Sequence, residues 1–241
     1  TTCGGWRMIP IKTESAWRGT SNCRNCGIRD MVLFADLNEQ DFNLIHAPID
    51  DLVYQPGQAL YEASDQALGV FTLRKGLIKL VRVTADGRER VVRVLFPGDV
   101  VGLEALATGR YDSQAVALSE VSLCRIPLEV VHQLGANSPR LHRKLMEKWQ
   151  SALKLADDWL AELNFGSARQ RVLHFIRKMH EVSEDGSATL FGRDDMGAMM
   201  DLKLETVSRE VTALVRAGVM TPLDKLGRHY QVLQPELLQE K

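Results

Sequence analysis

Between Leu204 and Ala217 the apolar residues Leu204, Val207, Val211, Leu214 and Val215 return at three- and four-residue steps. That spacing gathers them on one stripe of an α-helix and turns Glu205, Ser208 and Arg209 away from it. Upstream, Asp194-Asp195 is expected to cap a shorter helix whose apolar side includes Met196 and Met199, with a tight turn around Asp201-Leu202-Lys203. Two short helices joined this way can bury one face and present the polar side of the second. After Gly218, the turn residues Gly227-Arg228-His229-Tyr230 sit between alternating apolar positions, which predicts a small hairpin. The expectation for the C-terminal third is therefore a winged helix-turn-helix.

The residue types on the polar side suit DNA. Arg209 can give two parallel hydrogen bonds to guanine, Glu205 can accept from a base amino group, and Ser208 can bond a base edge or a phosphate. Thr206 lies among them, and Lys225 and Arg228 on the hairpin can reach phosphates, adding affinity without sequence information. A solvated helix face carrying Glu205 and Arg209 would show the same local pattern.

Overall charge neither demands nor excludes this reading. With 30 basic and 31 acidic side chains the net charge is -1, so any nucleic-acid surface must be local. Arg169, Arg171, Arg177, Lys178 and Arg193 gather near the proposed element, and Arg209, Arg216, Lys225 and Arg228 continue the enrichment. No apolar run reaches membrane-spanning length and no secretory pattern opens the sequence, so a cytoplasmic protein without a membrane partner is expected. In that compartment the 4 cysteines are expected to be reduced, metal-bound or redox-active. There is no nucleophile elbow, phosphate-binding Walker loop or zinc-protease histidine pair, and Asp157-Asp158 is merely adjacent on a helix, so an enzyme is not expected.

The remainder divides into an N-terminal cysteine-containing segment (1–30), a β-roll (31–135), a central helix (136–164) and the winged-helix region (165–241). Gly4-Gly5, Pro10 and Gly19 argue against a long element in 1–22, and Met31 to Ile45 suits one or two short helices. From Asp51 to Leu128, short apolar stretches are separated by Pro56-Gly57, Lys75-Gly76, Asp86-Gly87 and Pro97-Gly98-Asp99. Many short strands with regularly spaced turns favour a double-sheet, cupin-like roll. In the central region Leu145, Trp149, Ala152, Ala156, Trp159 and Leu163 form a helical stripe, the arrangement of a two-helix dimer seam. A helix covering the roll within one subunit would carry much the same stripe. The fold class is α+β.

Taken in order, the roll, the long helix and the winged helix resemble the CRP/FNR family of bacterial transcription regulators, with Glu205, Ser208 and Arg209 matching the Glu-x-x-Ser-Arg of the FNR branch. The resemblance implies a homodimer on a palindrome like TTGAT-N4-ATCAA in promoter DNA, with Arg209 on guanine. It also implies RNA polymerase as a partner, contacted by exposed turns such as Ala85-Asp86-Gly87-Arg88. Gly98 and Gly102 lie in a stretch similar to the family's phosphate-side turn. The Arg-Ser pair of cyclic-nucleotide-binding members is replaced by Tyr111-Asp112-Ser113-Gln114-Ala115, which argues against cAMP. Cys23, Cys26 and Cys124 match three of the four cysteines that hold a [4Fe-4S] cluster in FNR regulators, while the fourth position is Val32. Cys3 or Asp30 could complete such a set. A reversible Cys23–Cys26 disulfide, haem held by one of His46, His132, His142, His174, His180 and His229, and Cys124 as a small buried hydrophobe are the alternatives.

Overall fold

A computed structural model describes residues 49–183 and 185–239. Cys3, Cys23, Cys26, Asp30, Val32 and His46, with the helices expected before position 46, lie outside the described residues. The chain separates into two compact units: the described part of Thr1–Arg82 with Val94–Leu153, and Val83–Arg93 with Lys154–Lys241.

The strands before Leu128 form two four-stranded antiparallel sheets. One has the order β1-β8-β3-β6, from Asp50–Tyr54 (β1), Val121–Pro127 (β8), Gly69–Lys75 (β3) and Val100–Val101 (β6). The other runs β2-β7-β4-β5, from Ala59–Tyr61 (β2), Gln114–Ala117 (β7), Ile78–Val83 (β4) and Glu89–Leu95 (β5). β3 does not alternate because both of its faces are covered. Val70 packs with Ile126, Val130, Leu134 and Leu141, whereas Phe71 and Leu73 pack with Ile78, Leu80 and Leu123. The expected turn between β4 and β5 is present: Thr84 donates its amide to the Arg88 carbonyl, and Gly87 donates to that of Thr84.

One short helix lies between β6 and β7, and two more follow β8. Ala105–Thr108 (α1) is a single turn, Leu128–Asn137 (α2) covers the β1-β8-β3-β6 sheet with Val130, Val131 and Leu134, and Pro139–Leu163 (α3) is the long central helix. At 25 residues α3 extends about 37 Å.

The C-terminal unit holds α4 (Ala168–Glu181), β9 (Ser187–Thr189), α5 (Arg193–Met200), α6 (Leu204–Arg216), β10 (Met220–Pro222) and β11 (His229–Val232). The three strands form an antiparallel sheet in the order β10-β11-β9. Its core joins Phe175 of α4, edge-on to Phe191 with ring centroids 5.2 Å apart, to the buried Met196, Met200, Val207 and Leu214.

Candidate nucleic-acid interface

The platform beneath the helix-turn-helix is α4. Ser167 caps it, its hydroxyl accepting from the Gln170 amide at 3.2 Å while the Gln170 side chain accepts from the Ser167 amide at 2.8 Å. This reciprocal pair contributes about 1 kcal/mol to helix stability. Val172, Leu173, Phe175, Ile176 and Met179 are all buried, so α4 is anchored on its apolar side.

α5 and α6 meet through the turn the sequence predicts. Asp201 adopts φ 55°, and the Leu202 amide returns to the Gly197 carbonyl at 3.0 Å. Gly197 is required sterically, since a Cβ there would lie 2.5 Å from the Leu202 carbonyl oxygen. The expected aspartate cap is corrected: the N-cap of α5 is Gly192, with no side-chain cap bond. Asp194 and Asp195 sit instead in the first turn, where their charge complements the helix dipole.

In α6, Val207, Val211 and Leu214 are buried, while Glu205, Arg209 and Thr212 are exposed. Thr206 and Ser208 are half-buried at the edges of that surface. The Arg209 guanidinium lies 3.5 Å from the Glu210 carboxylate, but the Arg209 side chain is 72% exposed and free to extend. Leu204 corrects the predicted stripe, being 48% exposed at the start of the helix. Leu204, expected on the inward stripe, and Thr212, not singled out in the sequence, thus join the outward surface. Thr212 stands seven residues after Glu205, two helical turns along the same side, and that spacing was the available signal.

β10 and β11 form the wing. In its loop the Asp224 carboxylate accepts from the amides of Arg228 and His229, both at 3.0 Å, and these bonds, the Arg228 one foremost, hold its pKa below the usual carboxylate value. Lys225 and Arg228 are exposed beside it. Other cations expected near DNA serve the fold instead. Arg193 donates to the Gly227 carbonyl and the Tyr230 hydroxyl, Arg171 to the carbonyls of Gly166 and Met200, and Arg177 and Lys178 both contact Glu162.

The stripe expected to form a dimer seam is largely spent within the chain. Trp159 and Leu163 are buried, and Leu145 and Ala152 pack against the core of the first unit. Ala156 is half-buried, and only Trp149 is exposed. The apolar positions that α3 leaves open are Met146, Trp149, Leu153 and Leu160. Both sets repeat at three and four residues, so periodicity alone does not choose between them.

Two models of known families match the chain: a cyclic nucleotide-binding domain over residues 51–138 and a Crp-like helix-turn-helix domain over 170–241. The anaerobic regulatory protein of Haemophilus influenzae is 27% identical over 210 residues, covering 83% of this chain and 80% of its own. The fumarate and nitrate reduction regulatory protein of Escherichia coli K12 is 27% identical over 206 residues, with coverages of 83% and 82%. Among solved structures, FixK2 from Bradyrhizobium japonicum superposes with TM-score 0.71 at 23% identity, covering 80% of this chain and 96% of that one. Over both matched segments the chain is similar to regulators of the CRP/FNR family. Members of the CRP/FNR family are DNA-binding transcription regulators and not enzymes.

That similarity raises two cofactor questions. A cyclic nucleotide does not fit the residues of the roll. Gly102, where a backbone would approach a phosphate, is covered by Tyr111, whose ring would stand 2.8 Å from a Cβ at that position. The Tyr111 hydroxyl donates to the Gly69 carbonyl at 2.7 Å, and its ring stacks on Tyr61 with centroids 3.6 Å apart. Burial pushes the Tyr111 phenol pKa up, so the group stays a neutral donor. Beyond it Gln114 donates to the Glu62 carboxylate.

Of the proposed cluster ligands only Cys124 is described. It is buried in β8, directly across from Asp51 of β1 and Thr72 of β3, and its thiol donates to the Asp51 carboxylate at 3.6 Å. Among the described residues no three His, Cys, Asp or Glu side chains converge as metal ligands. Of the histidines weighed for haem, His132 and His174 each have a ring nitrogen paired with a backbone carbonyl, of Leu106 and Glu162 respectively.

Proposed function

We propose that this chain acts as a homodimer, places α6 in successive major grooves of a palindrome like TTGAT-N4-ATCAA, and is governed by a redox signal received at its cysteines. The supporting observation is α6 itself. Val207, Val211 and Leu214 are buried, Glu205 and Arg209 are exposed one turn apart on the opposite side, and an exposed wing follows it. Arg209 gives bidentate bonds to guanine, Glu205 accepts from a base amino group, and Ser208 and Thr206 bond a base edge or phosphate. Lys225 and Arg228 contact phosphates from the wing.

Dimerisation uses Met146, Trp149, Leu153 and Leu160 of α3, whose spacing forms a seam against the same face of a second copy. Residues 31–135 form the sensing part, 136–164 the connecting helix and 165–241 the reading part. RNA polymerase is the expected protein partner, met by exposed turns including Ala85–Arg88. The names of the anaerobic and fumarate and nitrate reduction regulators support an oxygen-linked input. Cys23, Cys26 and Cys124, with Cys3 or Asp30, would hold an iron-sulfur cluster supplying that sensitivity. Asp51 sets the thiol of Cys124 in place.

Fluorescence anisotropy with the palindrome and a scrambled duplex tests the DNA reading. The parent protein should prefer the palindrome, and Arg209→Ala should lose about 1–3 kcal/mol of that preference. Equal binding of both duplexes by the parent contradicts it. Iron and acid-labile sulfide, measured in protein isolated without oxygen, test the input: comparable amounts that fall in Cys124→Ala support the cluster. Absence of both after reconstitution leaves the DNA reading in place and moves the signal to a thiol pair.

A further inference from the structure

Away from the DNA-facing surface, a group of charges gathers where α3 passes into α4. Glu162 lies in the last turn of α3, and the chain then reverses through Asn164, Phe165, Gly166 and Ser167. Three side chains of α4 fold back onto this one residue. Arg177 donates to its Oε2 at 2.7 Å, Lys178 Nζ lies 3.2 Å from the same oxygen, and the His174 ring pairs with its backbone carbonyl at 3.0 Å. Side-chain exposures of 26% for Arg177, 14% for Lys178 and 30% for Glu162 leave the group only partly screened by solvent. One exposed ion pair would hold a joint weakly, but two cations on one carboxylate, together with a backbone tie, form a network.

The network continues along the chain of command to DNA. Near the start of α4, Arg171 donates to the carbonyl of Gly166 at 3.1 Å and to that of Met200 at 2.9 Å. Met200 ends α5, immediately before the turn that aims α6. One helix thus grips the end of α3 through Arg177 and Lys178 and the helix-turn-helix through Arg171.

We infer that Glu162 is a positioning residue for DNA recognition: it locks the elbow between α3 and α4, and so makes half-site spacing a selected property of the DNA. The inference rests on the dimeric, palindrome-reading function proposed above. One added base pair shifts a half-site by about 3.4 Å and rotates it by about 34°. A locked elbow cannot follow that displacement, whereas a four-residue connector without the network can pivot.

The test uses full-length Glu162→Gln and Arg177→Gln, the second keeping the Lys178 and His174 ties in case the first folds poorly. Affinities are measured for TTGAT and ATCAA half-sites separated by three, four and five base pairs, for a single half-site and for scrambled DNA, with melting temperature and dimer mass recorded alongside. The parent should prefer its spacer by roughly tenfold, the size of one mismatched base pair. In the variants that ratio should fall below about threefold, a loss of some 0.7 kcal/mol. Preference for a half-site over scrambled DNA should be unchanged. Folded variants that keep the parent's spacer ratio overturn the inference, as do variants that lose half-site and spacer preference together. A parent that reads the palindrome but is indifferent to spacing overturns it alone, and a parent with no preference for the palindrome overturns the functional reading as well.

Discussion

Gly197→Ala should cost both stability and DNA selectivity, because one methyl group would press on the turn that aims α6. The added Cβ would lie 2.5 Å from the Leu202 carbonyl oxygen. Reaching an ordinary separation of ~3.5 Å requires a retreat of about 1 Å by backbone that has little room. Overpacking of this kind costs about 1–3 kcal/mol. The Leu202 amide bond to the Gly197 carbonyl at 3.0 Å spans the same turn, and weakening it adds about 1 kcal/mol. Alanine recovers roughly 0.5–1 kcal/mol by its better helix propensity, leaving a net loss of about 1–3 kcal/mol in the C-terminal unit. Calorimetry should show its melting temperature falling by several degrees, on the scale of ~4–8 °C per kcal/mol for a unit of this size. Anisotropy should show selective binding weakened by at least about tenfold, since α6 moves with the turn. Gly57→Ala is the control: its φ of +85° strains any side chain, but no atom lies within 4 Å of the new Cβ, so selectivity should persist. Unchanged stability and unchanged selectivity in Gly197→Ala would refute the reasoning.

Replacing Leu153 by Glu places a charge on the open stripe of α3 and should shift sedimentation from dimer to monomer, whereas Trp159→Ala should lower stability by about 3–5 kcal/mol through a core cavity. A monomeric Trp159→Ala of parental stability would reverse the assignment of the two stripes. Asp185 has its pKa lowered to about 2, first by the Ser183 hydroxyl and then by Ser187. A depressed carboxylate stabilises the folded state above its ordinary pKa and loses that contribution as pH falls through the folded value. Carboxyl-carbon NMR should therefore show Asp185 ionised at pH 3, and a midpoint at the ordinary value would contradict the hydrogen-bonded turn. Asp224 should likewise titrate below the ordinary range, with the wing amides of Arg228 and His229 shifting alongside it.

The parts legible in the sequence are those whose signal is local. The turn at Asp201, the buried stripe of Val207, Val211 and Leu214, and the Asp86-Gly87 hairpin each follow from neighbours within a few residues. The α3 stripe was legible only in part. A helical period says that a face is apolar, but not whether the same chain or a second copy covers it, and α3 carries two such faces one residue apart. The partners of Arg171, Arg177, Lys178 and Arg193 were not legible, because their acceptors at Met200, Glu162 and Gly227 become neighbours only once the chain has folded. Charge counting assigned these residues to DNA, and geometry assigns them to the scaffold. Tyr111 illustrates the same limit: the sequence shows a missing Arg-Ser pair, while the ring lying over Gly102 depends on the closed roll.

The most direct measurement replaces the guanine of TTGAT with 7-deazaguanine, which removes the N7 acceptor, and compares binding by the parent and by Arg209→Ala. The account predicts that the parent loses about 1 kcal/mol or more on the modified duplex and that the variant is indifferent to the change. An equal loss in both proteins, or no loss in the parent, would contradict the claim that Arg209 of α6 reads that base.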